Sequence, residues 1–226
     1  MRGKLIIIEA GDGSGKATQT RELYSRLKSE GHRVRRVEFP DYESDSSALI
    51  KMYLKGEFGS NPEDVNPYVA STFYAVDRYA SFKKGWGDFY KNGGIVIADR
   101  YTTSNMVHQA AKIDAEADRE CFLDWLWDLE FAKFNLPRPD AVIFLDMPPK
   151  EAQRLIQARQ NSARGQIDKD IHEGNKAYLE RSYRNACGLA KKYNWHRIEC
   201  FQGSRLKTVS QIHAEVYKFV VRIVNN

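Results

Sequence analysis

Residues 9–18, Glu-Ala-Gly-Asp-Gly-Ser-Gly-Lys-Ala-Thr, set three glycines at alternate positions, an aspartate between the first two and a lysine after the last. That spacing lets the backbone curl until successive N–H groups point inward, and Lys16 adds a mobile positive charge at a helix start. Gly11, Asp12, Gly13, Ser14, Gly15, Lys16, Ala17 and Thr18 therefore read as a cradle for a polyphosphate. The strict pattern G-x-x-x-x-G-K-[ST] fails at two fixed positions: Ala10 replaces the first glycine, and Ala17 replaces the hydroxyl residue that would ligate magnesium. Thr18 lies about 100° further round a helix and is no simple substitute.

Other residues complete a phosphoryl-transfer chemistry. Asp99 ends the apolar run Ile95-Val96-Ile97-Ala98, the usual place for a carboxylate that serves magnesium, although an aspartate there can equally cap the following helix. Arg100 follows it directly. Tyr74 and Arg78 are four apart on one helix face, so a group stacked on the ring would lie within reach of the guanidinium. From Arg159 to Gly174 the chain is polar and aperiodic and includes Arg159, Arg164 and Lys169, which reads as a flap able to bring positive charge over the transferring group. Phosphoryl transfer asks a protein for in-line positioning and charge neutralisation rather than covalent work.

These residues need strands and helices to hold them. Leu5 to Ile8 is a β-branched run suited to a central parallel strand, and a helix ended by Gly31 follows the cradle. Val34 to Phe39 is a second strand stopped by Pro40, and Asn66 to Asn92 a long helix. Strands at 95–98, 141–146 and 197–201 alternate with helices at 102–111, 117–134, 150–158, 175–193 and 208–224. The alternation predicts an α/β three-layer sandwich, helices on both faces of a parallel sheet of five strands. The aromatic residues Phe122, Trp125, Trp127, Phe131 and Phe134 fit core or a subunit interface better than a binding site.

With 226 residues and no linker or repeat, one domain over 1–226 is expected. The three cysteines show no metal spacing and read as free thiols. The net charge of +5 fits an anionic ligand, but no interleaved basic and aromatic pattern points to nucleic acid. The absence of a signal or membrane-length apolar run makes a cytoplasmic protein the expectation.

The elements Glu9 to Gln19, Phe39-Pro40, Phe73 to Arg78, Asp99-Arg100-Tyr101-Thr102-Thr103-Ser104 with Gln109, and Leu145 to Glu151 together resemble thymidylate kinase, a P-loop nucleoside monophosphate kinase family, over most of the chain. The resemblance implies a P-loop kinase fold with a mobile lid at about residues 159–174 and transfer of the ATP γ-phosphate to dTMP with Mg²⁺. It also implies nucleotide partners, while the aromatic helices at Phe73 to Trp86 and Phe122 to Phe134 make a helix-packed homodimer the expectation. The resemblance gives Lys16 and the loop amides the ATP phosphates, Asp12 the acceptor's sugar or phosphate, Arg100 the acceptor phosphate, and Asp99 the magnesium or its waters. Tyr74 would stack on thymine, Arg78 would reach the base edge, and Ser104 and Asn105 would face the ring nitrogen, with Phe39 and Gln109 also in the acceptor site. Family members with glycine at the Gly13 position take a catalytic arginine from the lid, which makes Arg159 and Arg164 the candidates. The chain departs from the family at Ala17, at Tyr42, where an arginine is frequent, and at His108, where a tyrosine is frequent near the sugar. These departures leave open a kinase for another pyrimidine nucleotide or deoxynucleoside, or a nucleotide-binding protein without catalysis.

Overall fold

A computed structural model describes residues 2–163, 171, 172, 174–203 and 205–225, with side chains described in the helix that ends at 163 only as far as Gln157. The central strand β1 (Lys4–Glu9) is buried along its apolar run because it is covered on both faces. Ile6 and Ile8 pack with Leu23 and Leu27 of α1 (Lys16–Ser29) and with Val216 and Val220 of α9 (Val209–Val224). Leu5 and Ile7 alternate to the opposite face, against Trp86, Tyr90, Tyr101 and Phe131. Each fully buried leucine or isoleucine contributes roughly 1.5–3 kcal/mol by leaving water, so this strand is the main anchor of the sheet.

Around it stand β2 (Val34–Glu38), β3 (Ile95–Asp99), β4 (Ala141–Asp146) and β5 (His196–Glu199), in the order β2-β3-β1-β4-β5 and all parallel. The expected five-stranded parallel sheet flanked by helices is what forms. Parallel register aligns the carboxyl ends, with Ile8 paired to Asp99 and Glu38 to Asp99, so the turns after β1, β2 and β3 emerge side by side. In such sheets ligands bind in the crevice at those ends.

The other helices are α2 (Ala48–Leu54), α3 (Pro67–Ser81), α4 (Gly87–Lys91), α5 (Thr102–His108), α6 (Glu116–Trp127), α7 (Pro149–Ala163) and α8 (Lys176–Lys192). The single helix expected at 66–92 is interrupted by a π-helical turn, Phe82–Trp86, which folds Phe82 and Trp86 into the core. A second π-helical turn, Asp128–Lys133, ends α6 and turns Glu130 fully inward. The helix expected at 150–158 runs on to Ala163, so residues 159–163, assigned to the flap, are helical. The fifth strand is shorter than expected, because Phe201 instead joins a two-stranded antiparallel ribbon, β6 (Phe201–Gln202) with β7 (Arg205–Leu206). Phe122 and Phe131 are core residues. The cysteines are free, and no helix among the described residues is long and apolar enough to cross a membrane.

Candidate active site

The cradle forms where β1 ends. Gly13 and Gly15 have φ of 77° and 88°, values that side chains with a Cβ rarely adopt. Gly15 caps α1 without a side-chain hydrogen bond and no acidic residue occupies the helix's first turn, which leaves its N–H groups and positive dipole end to an anion. Gly13 is further constrained from above: a Cβ there would meet Ile156 Cγ1 at 2.6 Å and the Ala152 carbonyl at 2.7 Å. Helix α7 lies directly over the loop, and no arginine side chain fits at that position in this arrangement.

Lys16 is buried and folded onto its own loop, donating to the Gly11 carbonyl at 2.9 Å and approaching Asp12 Oδ1 at 3.4 Å. Arg100 comes to the same aspartate from β3's end. Its backbone is left-handed, φ 68°, a strained state for a residue with a side chain, and its N–H is held by the Ile8 carbonyl at 3.2 Å. The guanidinium pairs with Asp12 through Nη2, while Nη1 lies 3.5 Å from Glu9 Oε1, 3.2 Å from Ser104 Oγ and 3.3 Å from His108 Nε2. Glu9, wholly buried, also accepts from Thr103 Oγ1 and Ser104 Oγ, both at 2.7 Å, and from its neighbour's amide at 3.1 Å.

Charges set the protonation of this cluster. Burial would raise the Asp12 carboxyl, but Arg100 and Lys16 outweigh it and hold it well below the usual carboxylate range. Burial and Arg100 lower the Lys16 ammonium, with Asp12, Asp99 and Glu9 opposing. Burial would lower Arg100 too, but Asp12, Glu9 and Asp99 prevail and raise it. The group is thus an ion cluster in which both cations contact Asp12.

Two of the cavities that border this cluster share Asp12 and Arg100. One, of about 240 Å³, is lined by Asp12, Gly13, Gly15, Lys16, Ala17 and Thr18 of the cradle with Glu38 and Asp99 opposite. The second, of about 180 Å³, runs past Tyr74, Arg78, Ser104, Asn105, His108 and Gln109 to His172. Asp12, Phe39, Pro40, Tyr42 and Arg100 line both. A polyphosphate in the first and a smaller anion in the second would approach each other at Arg100 and Asp12.

Each expected acceptor-site residue that the structure describes is brought to the second cavity. Arg78, however, is more tightly engaged than its spacing from Tyr74 implied: its Nε and Nη2 bind both oxygens of Glu130 at 2.7 and 2.6 Å, and its Nη1 lies 3.4 Å from the Tyr101 carbonyl. The reach to a base edge expected of Arg78 is limited to what this clamp leaves. Asn105 likewise donates to the Ser71 carbonyl at 3.2 Å. Gln109 Oε1 is buried without a partner among the described residues, an acceptor in the wall of the cavity that a ligand N–H would satisfy.

The chemistry of the donor set fits a hard cation held mostly by nucleotide oxygens and water. Asp99 and Glu38 supply carboxylates beside the cradle, Ala17 supplies nothing, and no cluster of three metal-ligating side chains occurs among the described residues. Arg164 and Lys169 lie outside the described residues, and the side chain of Arg159 is likewise not described.

Sequence reasoning missed several residues. Glu9 and Glu130 were hidden because a buried acid is recognisable only with its arginine partner. Asp77 of α3 pins the loop after β2, accepting from the Asp41 amide at 2.9 Å and the Ser46 hydroxyl at 2.6 Å. Glu38 was passed over as the end of a strand, and His172 as one more polar residue of the flap. The i, i+1 pairing of Asp77 with Arg78 was the one available signal for the third.

Comparison with known proteins identifies the family. A family-wide sequence model described as thymidylate kinase matches residues 8–210. A probable thymidylate kinase of Thermococcus onnurineus is 32% identical over 95% of this chain and 96% of its own. The thymidylate kinase of Homo sapiens is 26% identical over 95% of this chain and 88% of its own. Among solved structures, thymidylate kinase from Candida albicans, described as having broad substrate specificity, superimposes with a TM-score of 0.69 at 21% identity, over 98% of this chain and 92% of that one.

Proposed function

Because the chain belongs to the thymidylate kinase family, we propose that it transfers the γ-phosphoryl group of ATP to dTMP, giving dTDP and ADP. The observation that carries this reading is the pair of cavities meeting at Asp12 and Arg100, one built for a polyphosphate and one walled by Tyr74 and Gln109.

In this reading ATP's phosphates displace Asp12 from Lys16 and take the free N–H groups of α1. The dTMP phosphate takes Arg100, whose fixed, strained backbone aims it at the seam between the cavities. Arg100 and Lys16 then neutralise charge as it shifts between the two phosphates. Tyr74 stacks on the base, and Gln109 accepts its N–H. Mg²⁺, when bound, supplies further neutralisation of the phosphate oxygens, with Asp99 and Glu38 ordering its waters. Arg159 and Arg164 are the lid cations of this scheme. Helix α7 over Gly13 supports it, because it closes the position from which a loop arginine would act.

The chain acts as one domain in the cytoplasm, where its nucleotides are, and as a homodimer. Support for the dimer is the outer face of α3, where Val69 and Val76, two turns apart, are 46% and 48% exposed beside the exposed Tyr79. Light scattering tests it: Val76→Asp gives a monomer if the face is the interface, and an unchanged mass discards that face.

The decisive experiment is a steady-state assay of ADP release with ATP and Mg²⁺, comparing dTMP with dUMP, dCMP, UMP and dGMP. A kcat/KM highest for dTMP and abolished by EDTA is the expected outcome. Preference for another acceptor transfers the assignment to that nucleotide. ATP binding without turnover of any acceptor removes the catalytic reading.

A further inference from the structure

Beside the acceptor cavity, beyond the His172 that lines it, lies a chain of contacts that the transfer scheme does not use. Lys112, in the short turn Ala110–Lys112 after α5, donates to Tyr53 Oη at 2.9 Å and to the Val65 carbonyl at 3.2 Å. Tyr53, on α2 and wholly buried, has the Pro62 carbonyl 3.3 Å and His172 Nε2 2.9 Å from the same oxygen. His172 lies nearly parallel to His108, ring centroids 6.1 Å apart and planes at 12°. Tyr178 of α8 packs on both rings and donates to the His108 carbonyl at 3.0 Å. His108 Nε2 then faces Arg100 at 3.3 Å.

The hydrogen-bond senses along this chain are fixed by its ends. Lysine and arginine can only donate, so Tyr53 Oη accepts from Lys112 and His108 Nε2 accepts from Arg100. His108 is therefore neutral, with its proton on Nδ1. Both imidazoles lie between two cations in a buried place: burial and Arg100 push His108 well below its ordinary value, and burial and Lys112 push His172 down to about 3. Neither ring is built to exchange protons. Their packing instead fixes where the Nε2 lone pair of His108 points, and that lone pair is one of the groups holding Arg100 Nη1 while Nη2 pairs with Asp12.

We propose that Lys112 and Tyr53 are positioning residues for phosphoryl transfer, setting His172, through it His108, and through His108 the Arg100 guanidinium that receives the acceptor phosphate. The assignment rests on the kinase reading above and deepens it. Lys112 touches neither cavity, so its influence is read at a distance and only on the acceptor side.

Lys112→Met and Tyr53→Phe each raise the KM for dTMP about ten-fold while the KM for ATP stays within about two-fold, the acceptor change corresponding to one factor of ten in binding. The double variant is no worse than the more damaged single, because both break one chain. Lys112→Arg, which still donates, recovers most of the loss, and thermal melting confirms that the variants fold. An unchanged dTMP KM in folded Lys112→Met, equal losses toward ATP and dTMP, or additive effects in the double variant overturn the proposal.

Imidazole ¹⁵N shifts supply a readout independent of turnover. They move at His108 in Tyr53→Phe if the chain transmits, and an unmoved His108 signal also overturns it. Should the unmodified protein fail to phosphorylate dTMP, the kinase reading falls, and the ¹⁵N shifts still decide whether this chain positions Arg100.

Discussion

Two arginines line the acceptor cavity, and each pairs with a buried or half-buried carboxylate, yet the pairs are built for opposite purposes. Arg78 and Glu130 are almost completely withdrawn from water, with side-chain exposures of 2% and 0%, and meet in a two-point fork at 2.6 and 2.7 Å. Thr102 adds a third donor to the same acid at 2.8 Å. Arg100 keeps 15% exposure and shares its guanidinium among Asp12, Glu9, Ser104 and His108, with Asp12 itself 38% exposed. A buried pair closed on itself holds elements together, here α3 to the turn after α6. A pair at a cavity mouth, with an exposed acid and several long contacts, is one that an incoming phosphate can replace. The difference lies in desolvation: displacing Glu130 would strand a dry charge, whereas Asp12 can return to water.

The sharpest test exchanges the two arginines' fates. Arg100→Ala should lower kcat/KM for dTMP by about three orders of magnitude or more, roughly the worth of a strong charge-assisted contact to the transferring group, with the fold retained in thermal melting. Turnover within ten-fold of the unmodified protein would show that Arg100 is as structural as Arg78. Glu130→Ala should act the other way, costing about 3–5 kcal/mol in urea unfolding because it leaves the Arg78 guanidinium buried and unpaired. Wild-type stability with lost dTMP affinity would break the comparison by making Arg78 the ligand-facing cation.

Smaller effects refine it. His172 is held neutral near a folded value of about 3 by burial and Lys112. The unfolded chain binds its proton near pH 6.5, so the folded state holds fewer protons between those values. Stability contributed by this group is present above about pH 6.5 and is lost as pH falls toward 3, by an amount on the order of a few kcal/mol. Urea midpoints that stay flat over that window, or that change equally in His172→Gln, would remove the histidine from the account. Gly13→Ala should cost about 1–2 kcal/mol from its left-handed φ, and it should also weaken ATP binding because α7, whose Ile156 and Ala152 the new Cβ would meet, must shift. Unchanged ATP affinity would mean that α7 does not need to close on the cradle.

Much of this was legible in the sequence for one reason: the features concerned are local. A glycine at every second position, an apolar run ending in Asp99-Arg100, and Tyr74 four residues before Arg78 dictate backbone curl, strand end and helix face without reference to anything distant. So the parallel sheet, the cradle at its first turn and the placement of Asp99 at a strand end could be derived from neighbours in the chain, while the role of Arg100 came from the family resemblance. What the tertiary structure alone decided are the partners across long separations. Arg78 finds Glu130 52 residues away, and Tyr53 finds His172 119 residues away. Whether Arg78 reads a ligand or braces a helix depends on a carboxylate that only packing delivers. The same holds for α7 crossing Gly13: a polar, weakly periodic segment gives no sign of where its helix ends or what it covers. Local sterics and hydrophobic period set the elements, while burial of charge, which depends on everything around it, set which charges remain available for chemistry.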